Sequence, residues 1–343
     1  VIKPWIFEFF PVPREPGAAD DPRQSANYFN WYLDLWPRAE PLGYEGIFFS
    51  EHHFGHAYSP APNLLIAQVA ARTRKIRLGV MGLVLPYHQP WKVVEEIGML
   101  DHLTQGRLDI GTAAGIPQEM AQVGLSVAEA RERNDEAIEI LDAALAEPVI
   151  SHRGKYWQFK DLRLTPRPLQ RPHPPKWVTV ISEDSARKAA RRGAKICTGF
   201  HPGERVRSIF DAYRDEANRV GTPSGLDQMA LRRQVSIGSD DVAVRAAAKV
   251  REQQMRARLL ADPRLSAPER EVLDTPISHA FSIGSDEFIA GSPDSVAEQV
   301  IGQCRDAGAG HFLATFDRSG TREQLLEAWE MFGIGVIPAL RRA

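Results

Sequence analysis

Glu51, His52 and His53 stand side by side and are the residues of this sequence best suited to chemistry. A carboxylate beside two imidazoles can hold and pass protons near neutral pH, because histidine titrates there and a neighbouring anion tunes it. They lie within Gly46–Phe54 (GIFFSEHHF), where Ile47, Phe48 and Phe49 read as a short strand buried on both faces and the apolar run stops at Ser50. Polar chemistry therefore begins where a strand ends, and in parallel α/β proteins that carboxyl edge is the functional one. A blander role exists as well, since one histidine of an adjacent pair often satisfies a loop or a buried carbonyl. That role suits His53 better than His52.

Other strand ends carry small or apolar residues. Ile76–Leu85 (IRLGVMGLVL) places Met81 and Gly82 near its end, and GRLDIG at Gly106–Gly111 is followed by Ala113 and Ala114. Glycine inside a strand pattern signals a bulge or a close approach of backbone to ligand. Read as one mouth, these positions suit a flat, mostly aromatic ligand better than a hydrated sugar or a metal-activated water. No His, Asp and Cys cluster has metal-ligand spacing, and Cys197 and Cys304 are too few for a disulfide framework. The GTAAG at Gly111–Gly115 lacks the spacing of a dinucleotide fingerprint. Glu183, Asp184 and Ser185 open a helix that carries Arg187, Lys188, Arg191 and Arg192. Free backbone N–H groups there could hold a phosphate, or the stretch could be a capped surface helix whose two acids repel one.

The elements that must position these residues alternate. The strand-like WIFEFF near the start precedes a helix over Asn27–Leu42 ending at Gly43; helices over Ala61–Thr73 and Trp91–Leu103 follow the second and third strands. A long helix opens at Ser126–Glu129, a hairpin-bearing excursion spans Ser151–Leu164, and a stiff Pro-rich connector follows. Strand and helix then alternate again to Leu340, interrupted over 259–290 by a Pro- and Gly-punctuated stretch. Eight βα units without sequence repeats favour a single α/β domain over 1–343, a (β/α)8 TIM barrel with a long insertion before the last βα unit. Loops longer than about 12 to 15 residues are commonly functional, so the insertion at 259–290 is expected to be a lid.

A chain of 343 residues with 43% hydrophobic and 25% charged residues matches an ordinary globular protein. The net charge of -2 gives no reason to expect nucleic acid or membrane partners, which points to a small-molecule substrate. No apolar run approaches the roughly 18 residues of a membrane span, and the strand-like start has no signal-peptide pattern. With two cysteines, a reducing cytoplasm is the expected location.

GYEGIFFSEHHF, the run from SPAPNLLIAQ through IRLGVMGLVLPYHQP to LDHLTQGRLDIG, and the later GSPDSVAEQV and GIGVIPALRR resemble the luciferase-like flavin-dependent monooxygenases, in particular the bacterial-luciferase branch. The resemblance runs nearly the whole chain in order. It implies a (β/α)8 barrel, reduced FMN from a separate flavin reductase, and reaction with oxygen through a flavin C4a-hydroperoxide that oxygenates a substrate such as an aldehyde or other carbonyl compound. It assigns proton handling to His52, with Glu51 and His53 beside it. It further implies a non-proline cis peptide at Met81–Gly82 beneath the flavin, and a phosphate loop at Glu183, Asp184 and Ser185 with Arg187 beyond. Two positions depart from the family pattern: Ala114 stands where luciferases carry an arginine, and Asp184 where they carry a hydroxyl. Related barrels use deazaflavin F420 for hydride transfer, and a non-catalytic flavin-binding protein is a further alternative; the EHHF turn argues against the first. The resemblance also points to a homodimer through the helices at 61–73 and 91–104, which carry apolar residues on more than one face.

Overall fold

The computed structural model describes residues 1–13, 17–55, 57–260 and 285–343. The fold class is the expected α/β (β/α)8 barrel. Its strands in chain order are β1 (Lys3–Glu8), β2 (Gly46–Phe49), β3 (Arg77–Val80), β4 (Leu83–Val84), β5 (Leu108–Ala113), β6 (Val149–Arg153), β7 (Gln158–Arg163), β8 (Lys176–Thr179), β9 (Lys195–Thr198), β10 (Met229–Ile237), β11 (Phe288–Gly291) and β12 (His311–Phe316). Contacts divide the chain into one unit of Val1–Phe7, Ala39–Gly46 and Thr179–Ala343, and another of Glu8–Arg38 and Ile47–Val178.

In the second unit β2 neighbours β3, and β3 and β4 both run parallel to β5, with Gly79 opposite Asp109 and Leu83 opposite Thr112. The glycines of this region serve backbone contact. A Cβ on Gly111 would sit 1.9 Å from the Val80 carbonyl oxygen, and one on Gly82 would sit 2.5 Å from the Thr112 carbonyl carbon. Neither place admits a side chain. The Met81–Gly82 peptide is cis, as the resemblance implies, and it divides what the sequence presents as one strand into β3 and β4. β5 runs two residues beyond the expected end, so Thr112 and Ala113 belong to the strand, not to a loop after it.

The first helix begins earlier than the apolar spacing suggests, at Pro22, because Asp21 caps it by accepting the Arg23 and Gln24 amides and proline is pre-set for the first turn. It ends at Leu35, before Pro37. Ser126 caps the long helix Val127–Ala146 by accepting from Glu129 N, and the expected hairpin is β6–β7. Glu136 on that helix accepts the amides of Lys155, Tyr156 and Trp157 and so fastens the hairpin's turn.

In the first unit β10 is the central strand. β12 takes one of its edges over Ala230–Val235, while β9 and β11 divide the other, along Met229–Leu231 and Gln234–Ile237. β12 in turn pairs with β1, Lys3 opposite His311 and Trp5 opposite Leu313. β11 corrects the sequence reading, which assigned Phe288–Ala290 to an irregular stretch. Four residues with a glycine at the end give little strand signal, and β10 supplies the ladder. The remainder of the expected insertion and lid at 259–290 falls largely on 261–284, outside the described residues.

Candidate active site

His52 is placed where the sequence suggests, just beyond β2, and its partner is a residue far away in the chain. Its Nδ1 lies 3.0 Å from Oε1 of Glu119, and that same oxygen accepts the His53 amide at 3.1 Å. Glu119 belongs to the short helix Pro117–Gln122 and its side chain is 1% exposed, against 21% for His52. Burial raises the Glu119 carboxyl, but the His52 hydrogen bond and the His53 amide overcome it, and the group is held below its ordinary value. An ionised Glu119 fixes the tautomer: His52 Nδ1–H donates, and Nε2 is the nitrogen left for proton exchange. The ring also stacks on Phe9, centroids 5.5 Å apart and planes 19° apart.

Glu51 plays a different part. Its Oε1 accepts from both His53 Nε2 at 2.9 Å and His88 Nε2 at 2.8 Å, and its Oε2 accepts the Val84 amide at 2.8 Å. A fully buried carboxylate with each oxygen engaged is a fastener: it ties the end of β2 to β4 and to the turn before the helix Pro90–Leu103. Burial would raise it, yet the two histidines and the amide hold Glu51 low, and the Glu51 bond pushes His53 above its usual value.

Met81, Gly82, Ala113 and Ala114 lie in the same unit as Glu51, His52 and His53. Among the described residues of that unit three buried side-chain polar atoms have no hydrogen-bond partner: the Tyr87 hydroxyl and Glu119 Oε2, beside His53 and His52, and Asn134 Oδ1 on the helix Val127–Ala146. Burial, with Glu119 and Glu51 nearby, pushes Tyr87 up to about 12, so it stays a protonated donor. A donor and an acceptor left unpaired beside a histidine fit a flat heteroaromatic ring system with both kinds of group on its edge. Glu119, His88 and Tyr87 are absent from the sequence-based site. His88 lies within the quoted LPYHQP run, but no local pattern couples Glu119 to residues almost seventy positions earlier.

Glu183, Asp184, Ser185 and Arg187 belong to the other unit, on the helix Glu183–Arg191. Ser182 and Ser185 close a reciprocal capping box, Ser185 N to Ser182 Oγ at 3.2 Å and Ser182 N to Ser185 Oγ at 3.1 Å. Glu183 binds Arg205 and Ser208, and the Asp184 side chain is 79% exposed. The helix start thus satisfies its own amides in the way of a capped surface helix. Among the described residues no group of His, Cys, Asp and Glu could hold a metal, and no helix is long and apolar enough to cross a membrane.

A profile of the luciferase-like monooxygenase family matches residues 11–311. The chain belongs to that family. It is 32% identical over 299 residues to the uncharacterized protein y4wF of Sinorhizobium fredii, covering 86% of each chain. The oxygenase component of the flavin-dependent trigonelline monooxygenase of Acinetobacter baylyi is 30% identical over 233 residues, 66% of this chain and 64% of that one. Among solved structures, the monooxygenase RslO1 of Streptomyces bottropensis superposes over 100% of both chains with a TM-score of 0.83 at 26% identity.

Proposed function

We propose that this luciferase-like chain is the FMN-dependent oxygenase of a two-component monooxygenase, a single-domain protein that receives reduced flavin from a separate reductase and oxygenates a small organic substrate of aldehyde or other carbonyl type. The observation that carries the reading is the His52–Glu119 pair: a partly exposed imidazole at a strand's carboxyl end, held in one tautomer by a buried carboxylate. Reduced FMN, when bound, supplies the electrons that activate oxygen. His52 Nε2 takes up and returns the proton that such chemistry moves, and the Glu119 carboxylate stabilises the imidazolium while it carries that proton. Glu51 holds His53 and His88 in place, and the unpaired Tyr87 hydroxyl would donate to a flavin ring held beside it. Gly82 keeps the backbone after Met81 close to Thr112, and Ala113 and Ala114 would keep the lining beside it free of bulk.

A homodimer belongs to the same reading. Leu64, Met99 and Leu103 are 69%, 54% and 55% exposed on the helices Pro62–Arg72 and Pro90–Leu103, more apolar surface than a helix facing water usually carries. Light scattering at micromolar concentration is expected to give twice the chain mass.

The function is tested by supplying the protein with FMN, NADH, a flavin reductase and labelled oxygen gas, and screening aldehydes and ketones. A product containing one labelled oxygen atom is expected. No labelled product from any carbonyl compound, with flavin oxidised at the rate of the reductase alone, refutes the reading.

A further inference from the structure

The hairpin β6–β7 and the helices Pro90–Leu103 and Val127–Ala146 enclose a cavity of about 460 Å³ that shares no residue with the His52 and Glu51 clusters. Trp91, Trp157, Phe159 and Leu162 form its apolar walls, and Gln89, Gln158 and Arg133 add polar groups. The hairpin brings two of the walls onto one face by an irregularity. Ile150 pairs with Leu162 and His152 with Phe159, so two steps on β6 oppose three on β7. Paired residues share a face of an antiparallel ladder, and the extra residue, near Asp161 with its φ of 50°, puts Phe159 and Leu162 on the same side. Their neighbours Lys160 and Arg163 are exposed.

The walls are fixed before any ligand arrives. Glu136 holds the hairpin's turn through three amides, the Tyr156 hydroxyl donates to Glu132 Oε2 at 2.6 Å, and Trp157 Nε1 donates to Gln89 Oε1 at 3.1 Å. A site built in advance loses little freedom on binding. Its charges are already matched. Arg133 gives Nε and Nη2 to Glu129 Oε1 at 2.9 and 2.8 Å, and Lys155 pairs with Glu132 at 2.6 Å; the two cations lie 4.7 and 5.1 Å from the centre of the Tyr156 ring. No unpaired cation is therefore left for an anion to meet. Gln158 Nε2 donates to the Gly154 carbonyl at 3.3 Å. What the described residues leave open is Gln89 Nε2 and Arg133 Nη1 as donors and Gln158 Oε1 as an acceptor. Flat apolar walls with a few such groups, in a volume within the roughly 300–1,000 Å³ of small-molecule sites, define the ligand.

We propose that this cavity is a second binding site, for an uncharged aromatic carboxamide. The aromatic body packs against Trp91, Trp157 and Phe159, the amide oxygen accepts from Gln89 Nε2 and Arg133 Nη1, and the amide N–H donates to Gln158 Oε1. A carboxylate has no N–H for Gln158 and finds both cations already paired. Gln89 directly follows His88, which Glu51 holds, so one peptide links this cavity to the proton-handling cluster. The site stands whether or not the enzyme oxygenates such a compound.

Naphthalene-2-carboxamide is the probe, added to the whole protein without flavin and followed by calorimetry and by NMR of nitrogen-labelled tryptophan indoles. Saturable binding is expected, with a shift of the indole signal that is missing from Trp157→Phe. Trp91→Ala, which removes a wall, and Gln89→Glu, which keeps the acceptor for Trp157 but loses the Nε2 donor, should each weaken binding about tenfold. Naphthalene-2-carboxylate should bind about tenfold more weakly than the amide, and His52→Ala should leave the amide's affinity unchanged. Should either cavity variant melt well below the parent, the indole shift and the preference for amide over carboxylate decide. Absence of saturable binding, a motionless Trp157 signal at saturation, unchanged affinity in both cavity variants, preference for the carboxylate, or loss of binding in His52→Ala would each overturn the proposal.

Discussion

Two clusters of buried charge are built on opposite plans. Around Glu51 and Glu119 the fixed charges are carboxylates and the partners are histidines, whose charge depends on pH. Around Glu287 the partners are Arg232 and Arg233, which keep their charge throughout the range in which proteins fold. Glu51 has both oxygens engaged, whereas the arginine cluster leaves Arg232 Nε unpaired. The difference separates two tasks. A cluster of acids and imidazoles can exchange protons, and a cluster of arginines around one carboxylate holds a fixed charge in place.

The largest effect expected from breaking this comparison is at Glu287. Glu287→Ala strands two buried guanidinium groups, and loss of one partner from a buried ion pair typically costs about 3–5 kcal/mol. Urea unfolding should show that loss in the transition midpoint, and a loss below about 1 kcal/mol would mean that the arginines find water or another acceptor. Next in size is His52→Ala, expected to lower turnover by ~100-fold or more with FMN still bound, as is usual for general acid-base groups. Glu119→Gln sharpens the distinction between acting and positioning. An amide can accept from Nδ1–H but cannot stabilise the imidazolium, so kcat should fall roughly tenfold, less than for His52→Ala, with KM little changed. A substitution that changes KM alone would assign Glu119 to binding.

The smallest effect is on stability against pH, and it is expected only of the histidine cluster. His53 is raised above its ordinary 6.5, so its contribution is complete below that value and fades as pH climbs through the folded-state pKa. Glu51 and Glu119 are lowered from 4.5, so theirs is complete above that value and is lost as pH falls through their folded-state pKa values. This cluster therefore supports the fold best between about pH 4.5 and 6.5, the ordinary values of its own groups. In Glu51→Gln the decline of melting temperature above pH 6.5 should flatten. An unaltered slope would show that His53 owes its shift to another neighbour.

The course of the chain was legible because most of its elements announce themselves locally. β9, β10 and β12, and the helix Pro293–Ala307, begin and end where apolar runs, proline and glycine place them, since a strand buried on both faces needs continuous apolar residues and a helix start needs a cap. The first helix was misplaced because Asp21 and Pro22 outweigh apolar spacing, and β11 was missed because four residues become a strand only against β10.

By itself the sequence determined the barrel class, the family, and the position of His52 at the end of a strand, because each rests on a pattern carried by neighbouring residues. Tertiary structure alone decided what His52 touches. Glu119 with His52, Glu51 with His88, and Glu287 with Arg232 and Arg233 are joined across spans of sequence by packing, and the burial that removes water from them exists only once the chain has folded. A carboxylate's pKa, a histidine's tautomer and an unpaired donor are properties of that dry, shared environment, and no spacing along the chain encodes them.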